Sequence, residues 1–257
     1  MLEKYFNIQR TMFNYEFKNS LIFHIPHSST YIPFMDGFNM DLLENEINLL
    51  TDWKTDEIFN VENVKRIVTP YSRIFCDVER FHDDIEPLYK KGRGFFYTHC
   101  DNGEILRDND VDVKENVFQN YYIKHHNIFE QIIQDTLITN GFVTIIDCHS
   151  FSNTPYETDL DQSLDRPDIC IGTDDFHTPK WLCESLLRGF SKFGLKCDVN
   201  TPYSGSIVPQ KFYKKNNLVS SVMIEINKNL YIENGQTDMD KVWELNRMVS
   251  EIFNTQF

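Results

Sequence analysis

Several features that would narrow the function at once are missing from this sequence of 257 residues. It has no run of the roughly 20 apolar residues that a membrane-spanning helix needs, so a membrane is not expected as a partner. It has no basic block, and its net charge of −14 disfavours nucleic acid, whose backbone is itself anionic. The six cysteines form no C-x-x-C pair, which together with their apolar contexts predicts reduced thiols in a cytoplasmic protein. The N-terminal segment Met1–Phe6 also lacks the basic and apolar regions of a signal peptide.

Catalytic signatures with a fixed local spacing are missing as well. There is no P-loop, no G-x-G-x-x-G, no H-E-x-x-H and no zinc-finger spacing. No G-x-S-x-G elbow surrounds Ser150, and Cys148 and His149, as neighbours on a strand, would point to opposite faces. A serine or cysteine nucleophile is therefore a minor alternative, and the site must be assembled from residues far apart in the chain.

What the sequence does contain is an alternation of apolar segments of strand length with amphipathic segments of helix length. Strands are predicted at 20–26, 64–68, 73–78, 142–148, 169–172, 195–199 and 219–226, and helices at 40–60 (with a break near 51–53), 113–140, 178–193 and 238–254. This alternation predicts an α/β fold with helices layered around a mostly parallel, possibly mixed sheet. The length fits a single catalytic domain at 1–257, and the polar segment 81–112 is long enough to be a loop that covers a substrate.

Polar side chains follow two of the predicted buried strands. His27 comes directly after the first strand, and Asp147, His149 and Ser150 end the strand at 142–148. Open α/β sheets bind ligands at the carboxyl edge of their strands, and histidine and carboxylate are the ligands of a hydrolytic zinc ion. The two histidines therefore predict a metal-centred hydrolase. The remaining candidates fit core or surface positions: His24, His82, His125 and His126.

Three acidic residues are candidates for a further metal ligand. Asp52 and Asp56 are four residues apart and would share one side of a helix, and Glu79 follows the predicted strand at 73–78. Arg80, next to Glu79, can bind a substrate carboxylate as a fork, although a structural salt bridge between Asp77 and an arginine is an equal alternative.

A fourth carboxylate, Glu225, lies within the apolar segment Val222–Ile226. Partial burial would raise its pKa toward the range in which a carboxyl group can accept and return a proton. The alternative is a strand residue that faces solvent.

Seven short elements occur in order between about residues 20 and 235: Pro26–Ser29, Asp52–Asp56, Tyr71–Arg80, Asp147–Ser150, Ile171–Thr173, Asn200–Gly205 and Glu225–Tyr231. Together they resemble the N-formylglutamate amidohydrolase family, which is related to the zinc carboxypeptidase and aspartoacylase group. This chain departs from the family pattern at Glu79, where Asn is usual before Arg80.

The resemblance implies a three-layer phosphorylase/hydrolase-like fold and a zinc-dependent amidohydrolase. Its substrate would be a small carboxylate-bearing N-acyl amino acid such as N-formylglutamate. One zinc ion would be bound by His27, Asp52 and His149, with Glu79 as the second choice for the acidic ligand, and Asp147 would orient His149.

The resemblance implies a general base on a late strand, and a mechanism built on it gives roles to further residues. Glu225 would be the general base and Arg73 would help to stabilise the oxyanion. The substrate would be bound by Arg80 and by the turn residues Asn200, Tyr203 and Gly205. Besides a hydrolase with a serine or cysteine nucleophile, two alternatives stay open: a carboxypeptidase-like zinc hydrolase of small peptides or other N-acyl amino acids, and a metal-free homologue that only binds its ligand.

Overall fold

The computed structural model describes residues 17–82 and 86–255. The segment Met1–Phe6 and residues 83–85 of the predicted covering loop lie outside the described residues. The central sheet has six strands: β1 (Leu21–Ile25), β2 (Lys65–Val68), β3 (Val143–Phe151), β4 (Ile169–Gly172), β5 (Cys197–Val199) and β6 (Val219–Asn227).

The strand order in this sheet is β2-β1-β3-β6-β4-β5. The first four strands in that order run parallel to one another. β4 is antiparallel to β6 and parallel to β5. The predicted mostly parallel, mixed sheet is therefore confirmed. A small separate hairpin follows, formed by β7 (Ile232–Glu233) and β8 (Gln236–Thr237).

The helices are α1 (Met40–Leu50), α2 (Thr55–Ile58), α3 (Val111–Val117), α4 (Ile123–Asn140), α5 (Lys180–Ser191) and α6 (Met239–Thr255). The predicted helix at 113–140 is present but contains a π-helical turn, Phe118–Tyr122, between α3 and α4. Gly141 ends α4 with a φ of +79°, a left-handed conformation that favours glycine. None of the helices within 17–82 and 86–255 combines the length and the apolar character needed to span a bilayer.

Side chains of the central strands alternate between the two faces of the sheet, and each face is covered by helices. Phe23 and Ile146 pack with residues of α2, α5 and α6. Ile22 and Ile145, on the opposite face, pack against Phe129 of α4. Burying an aromatic or aliphatic side chain of this size contributes roughly 1.5–3 kcal/mol, so both faces hold the layers together. The result is the expected three-layer arrangement.

The prediction of a strand at 73–78 is wrong. Residues 73–75 form a turn in which the amide N–H groups of Phe75 and Cys76 both donate to the carbonyl oxygen of Ser72. The apolar residues of this segment are buried in a second cluster, together with Phe95 and Tyr97, while Asp77 faces a different set of partners. The alternation of apolar and charged residues that suggested a strand thus arises from a tightly folded turn with two kinds of neighbour.

Candidate active site

Three adjacent parallel strands bring polar side chains to one face of the sheet. In the β1–β3 pair His24 lies opposite Asp147, and in the β3–β6 pair His149 lies opposite Glu225. Because side chains alternate along a strand, these four residues share the face that α4 covers lower down with Phe129. The face is therefore apolar under α4 and becomes polar toward the carboxyl edge of the sheet.

His27, just beyond the end of β1, faces His149 with 5.0 Å between the ring centroids. Asp52 lies against one edge of both rings, with its Oδ2 3.2 Å from His149 Nδ1 and 3.6 Å from His27 Nδ1. Glu79 lies against the other edge, with its Oε2 3.1 Å from His149 Nε2 and 3.7 Å from His27 Nε2. Both candidate acidic ligands are thus within reach of both histidines. Ligand atoms of His27, Glu79 and His149 all lie within 4.8 Å of one another.

One buried atom without a partner distinguishes the Asp52 edge of the His27 ring from its Glu79 edge. His27 Nε2 is 2.9 Å from Asp77 Oδ1, whereas His27 Nδ1 is buried and has no hydrogen-bond partner among the described residues. A metal-ligating imidazole binds through one nitrogen, while its other N–H is held by a carboxylate or carbonyl. His27 therefore has the arrangement of a ligand that binds through Nδ1, on the side where Asp52 lies. Two imidazoles and a carboxylate are a donor set that can bind a divalent metal ion.

The buried charges around His149 favour a cation. Burial by itself lowers the pKa of His149, but the carboxylates of Glu79 and Asp147 raise this pKa well above its ordinary value. For Asp52, burial raises the pKa, and the hydrogen bond from His149 together with the nearby His27 imidazole outweighs that effect and holds the pKa well below its usual range. The same negative field that would keep a proton on His149 attracts a metal ion in its place.

Asp77, fully buried, organises the neighbouring arginine and histidine side chains. Its Oδ2 accepts hydrogen bonds from Arg73 Nε at 3.2 Å, from Arg73 Nη2 at 3.0 Å and from the Tyr97 hydroxyl at 2.7 Å. The Nε of Arg80 lies 3.7 Å from the same oxygen. The structural salt bridge considered as an alternative for this segment is therefore present, and both arginines nevertheless line the cavity.

Glu225 is 8% exposed and lies on the strand next to His149. Its Oε2 is buried without a hydrogen-bond partner among the described residues. Burial raises the pKa of Glu225 to about 8, although the nearby His149 lowers it. A carboxyl group with such a pKa can both accept and return a proton near neutral pH.

These groups surround a cavity of about 450 Å³, a volume suited to a small molecule. Of the nine residues to which the sequence analysis gives a metal-binding, catalytic or substrate-binding role as first choice, eight line it: His27, Asp52, Arg73, Arg80, His149, Tyr203, Gly205 and Glu225. Part of the segment 81–112 forms one wall, through Phe81, Glu86, Leu88 and Arg93 among others.

Two other candidates do not reach the cavity. Asn200 is exposed, and its side chain accepts a hydrogen bond from Thr173 N and donates one to Thr173 Oγ1, both at 2.8 Å. Asp56 does not share a helical face with Asp52, because α2 begins at Thr55 and Asp52 precedes it.

Three residues near the site were not predicted from the sequence. His24 Nδ1 is 3.1 Å from Asp147 Oδ1, and His24 Nε2 is 3.0 Å from His125 Nε2. Lys228 Nζ lies 3.9 Å from Asp52 Oδ1. His24 occupies an apolar strand and so has the sequence signature of a core residue. Only the strand register, which places it opposite Asp147, reveals its partner.

The chain can now be compared with known proteins. It is similar in structure to a crystallised N-formylglutamate amidohydrolase from Ralstonia eutropha JMP134, with a TM-score of 0.79, 20% sequence identity and 91% of each chain covered. It is also similar to a gene product of Agrobacterium tumefaciens, with a TM-score of 0.61, 18% identity, and 93% of this chain and 92% of the other covered. At these identities the two structures establish the fold. No curated protein matches the chain. The model of the N-formylglutamate amidohydrolase family matches residues 19–232, a span that contains every polar group of the cavity described above, and the chain therefore belongs to this family.

Proposed function

We propose that the protein hydrolyses the amide bond of a small N-acyl amino acid such as N-formylglutamate, with one zinc ion bound by His27, Asp52 and His149. The observation that carries this proposal is the position of Glu225. It is a buried carboxyl group directly opposite His149 in the β3–β6 pair, in the same cavity as the three metal-ligand candidates.

Zinc, when bound, would polarise the substrate carbonyl and lower the pKa of a water molecule. The protein's part is to hold the two imidazoles with Nδ1 unprotonated and directed toward the ion. Asp77 accepts a hydrogen bond from His27 Nε2 at 2.9 Å, and Asp147 Oδ1 lies 3.1 Å from His149 Nε2. These contacts support the assignment of Nδ1 as the ligating nitrogen in both residues.

Glu225 would move the protons of the reaction. It would take a proton from the attacking water and later deliver it to the nitrogen of the leaving amine. Its burial supports this role, because a carboxyl group with an ordinary pKa would be a weak proton donor at neutral pH.

Two arginines would bind the anionic parts of the substrate. Arg73 uses Nε and Nη2 for its fork with Asp77, so Nη1 can donate to the oxyanion. Arg80 has the more exposed side chain of the two, 29% against 13%, and its Nε has no hydrogen-bond partner among the described residues. It would bind the carboxylate of the amino acid, in the cavity that Tyr203 also lines.

The segment 81–112 would cover the bound substrate, as part of a single catalytic domain. Leu88 and Arg93 of this segment line the cavity. We place the reaction in the cytoplasm, a proposal that the six unpaired cysteines support.

The direct test is release of formate and glutamate from N-formyl-L-glutamate by the zinc-loaded protein. Glu225→Gln is expected to lower kcat by about 10²–10⁴-fold, because proton transfer by a positioned group contributes that much, while the zinc content stays unchanged. Glu251→Gln, which changes an exposed carboxylate on α6, is the control and should leave kcat unaltered. Turnover retained by Glu225→Gln would remove this residue from the proton-transfer role.

A second pair of variants tests the acidic ligand. Asp52→Asn should lose the ion bound by His27 and His149, whereas Glu79→Gln should keep this ion. The opposite result would assign the ligand to Glu79. A panel of N-formyl, N-acetyl and dipeptide substrates would then define the acyl group.

A further inference from the structure

A second group of buried donor atoms lies beside His149, on the side away from Asp52. It consists of His24, Glu79 and Asp147, whose ligand atoms all lie within 4.8 Å of one another. We propose that His24 Nδ1, Glu79 Oε1 and Asp147 Oδ1 bind a second divalent cation. The inference rests on the proposed function in one respect, since it takes His27 and His149 as neutral ligands of the first ion.

The spacing of these atoms fits a metal ion. His24 Nδ1 is 3.1 Å from Asp147 Oδ1 and 3.4 Å from Glu79 Oε1. Ligands about 2.1 Å from a common ion are separated by about 3.0 Å at octahedral angles and about 3.4 Å at tetrahedral angles. The two separations from His24 Nδ1 therefore already match those that a small divalent cation requires, and the two carboxylate oxygens lie within 4.8 Å of each other. One nitrogen and two carboxylate oxygens suit Zn²⁺, Mn²⁺ or Co²⁺.

The second nitrogen of His24 is supported in the way that metal-ligating histidines need. His24 Nε2 is 3.0 Å from His125 Nε2, and His125 Nδ1 is 3.5 Å from Thr69 Oγ1. If His24 carries its proton on Nε2, it donates to His125, which in turn has a proton on Nδ1 directed toward Thr69. This order leaves His24 Nδ1 unprotonated and directed at the two carboxylates. The ring of His24 also stacks on Phe129, with 4.6 Å between centroids, which fixes its plane.

Charge balance provides an independent argument. Among residues 17–82 and 86–255, no lysine or arginine nitrogen forms an ion pair with Glu79 or Asp147, and their ion-pair partners are histidines. When His27 and His149 are neutral metal ligands, His24 remains as the one ionisable partner, in this described region, for the buried Asp147 and the partly buried Glu79. Buried charges without compensation are strongly unfavourable, and a divalent cation would balance both.

Glu79 connects the two proposed sites. Its Oε1 lies 3.4 Å from His24 Nδ1 and 3.2 Å from His149 Nε2, and its Oε2 lies 3.1 Å from the same nitrogen of His149. Glu79 and Asp147 both line the cavity, so an ion can reach them from the same opening as the substrate. The position of the second ion also places positive charge next to the histidine that holds the first one.

The test is the metal content of protein that has been depleted of metal, saturated with Zn²⁺ and dialysed, measured by elemental analysis. The parent protein should hold two equivalents. His24→Asn should hold one, because it removes a ligand of the second ion. Asp147→Asn should hold at most one, because Asp147 also supports His149 Nε2 and its loss weakens binding of the first ion as well. Two variants on different strands guard against a folding defect, and thermal unfolding followed by circular dichroism identifies any variant that fails to fold. His126→Gln, which changes a cavity-lining histidine outside both ligand sets, is the matched control and should hold two.

The outcomes separate the two proposals. One equivalent in the parent, or an unchanged content in both His24→Asn and Asp147→Asn, would overturn the second site and leave the first intact. His24 would then be a protonated imidazole hydrogen-bonded to the two carboxylates. A parent that binds no metal would overturn the first site as well. His27→Asn should keep one equivalent, held by the second group, and loss of both ions in this variant would overturn the assignment of two separate ligand sets.

Discussion

Asp77→Asn is expected to reduce both the stability of the protein and its affinity for zinc. Asp77 is fully buried and accepts two hydrogen bonds from Arg73 and one from the hydroxyl of Tyr97. Its other oxygen lies 2.9 Å from His27 Nε2 and accepts a hydrogen bond from the amide of Glu79 at 3.1 Å. The substitution keeps the shape of the side chain. The change in stability and in zinc affinity therefore reports only the loss of the negative charge and of an acceptor oxygen.

The magnitude follows from these contacts. Breaking a buried ion pair by neutralising one partner costs about 3–5 kcal/mol, because the guanidinium of Arg73 is left without its counter-charge. The asparagine NH₂ also replaces one acceptor by a donor that faces other donors. Loss of a carboxylate behind a ligating histidine lowers metal affinity by about 10–100-fold. We therefore expect a free energy of unfolding lower by about 3–5 kcal/mol and a zinc dissociation constant raised by one to two orders of magnitude.

The free energy of unfolding is measured by urea titration of the metal-free protein, followed by circular dichroism, and the zinc affinity by competition with a chromogenic chelator. Asp135→Asn, which changes an exposed aspartate on α4, is the matched control and should change stability by less than about 0.5 kcal/mol. A loss below about 1 kcal/mol for Asp77→Asn, with unchanged zinc affinity, would refute the view that this carboxylate holds the arginine and histidine in place.

Three further changes have defined outcomes. Burial lowers the pKa of His126 to about 4 from its ordinary 6.5, so the folded state binds fewer protons than the unfolded state between these values. The contribution of His126 to the free energy of unfolding is therefore complete above pH 6.5 and is lost as the pH drops toward 4. The loss is about 2–3 kcal/mol after allowance for partial exposure. His126→Gln should remove this part of the pH dependence, measured by urea titrations at pH 7 and 4.5. Gly172→Ala would place a Cβ 2.4 Å from the carbonyl oxygen of Gly205, so the turn that lines the cavity must shift, and KM should rise more than kcat falls. Arg107→Met should lower the free energy of unfolding by about 2–4 kcal/mol, because the carbonyl oxygen of Phe75 loses a buried donor at 3.2 Å, and an unchanged urea midpoint would contradict this role.

The strands and helices that carry the site are predictable because each has one dominant periodicity. β3 and β6 are apolar runs long enough to be buried on both faces, and α4 has a regular apolar side that ends at Gly141. The resemblance to a known family then selected His27, Asp52 and His149 from a chain with no local metal-binding motif.

Residues 73–78 show why local periodicity is insufficient there. Their alternation matches that of a strand, but Asp77 pairs with Arg73 four residues earlier, an ion pair that the turn permits. The strength of that contact depends on the complete burial of Asp77, which no local pattern reveals.

His24 and Asn200 show the same limit of local sequence patterns. The pattern gave His24 no role in the site, and it gave Asn200 a role that its contacts do not support. His24 gains a functional environment from Asp147, 123 residues away in sequence, and from His125, 101 residues away. Asn200 lies in an element that matches the family pattern, yet its side chain is satisfied by Thr173 and remains exposed. In both cases the deciding contact comes from tertiary structure.

The direct pairing of β3 with β6 affects how the substrate specificity of this enzyme can change. The distance between His149 and Glu225 is set by backbone hydrogen bonds of two neighbouring strands in the middle of the sheet, with no loop between them. Exchange of the 81–112 segment, or of the turn that contains Gly205, can therefore alter which substrates enter without moving these two groups. The backbone amides of this strand pair should also be among the last to exchange with deuterated solvent, and the chemical step should tolerate loop grafts that abolish recognition of the original substrate.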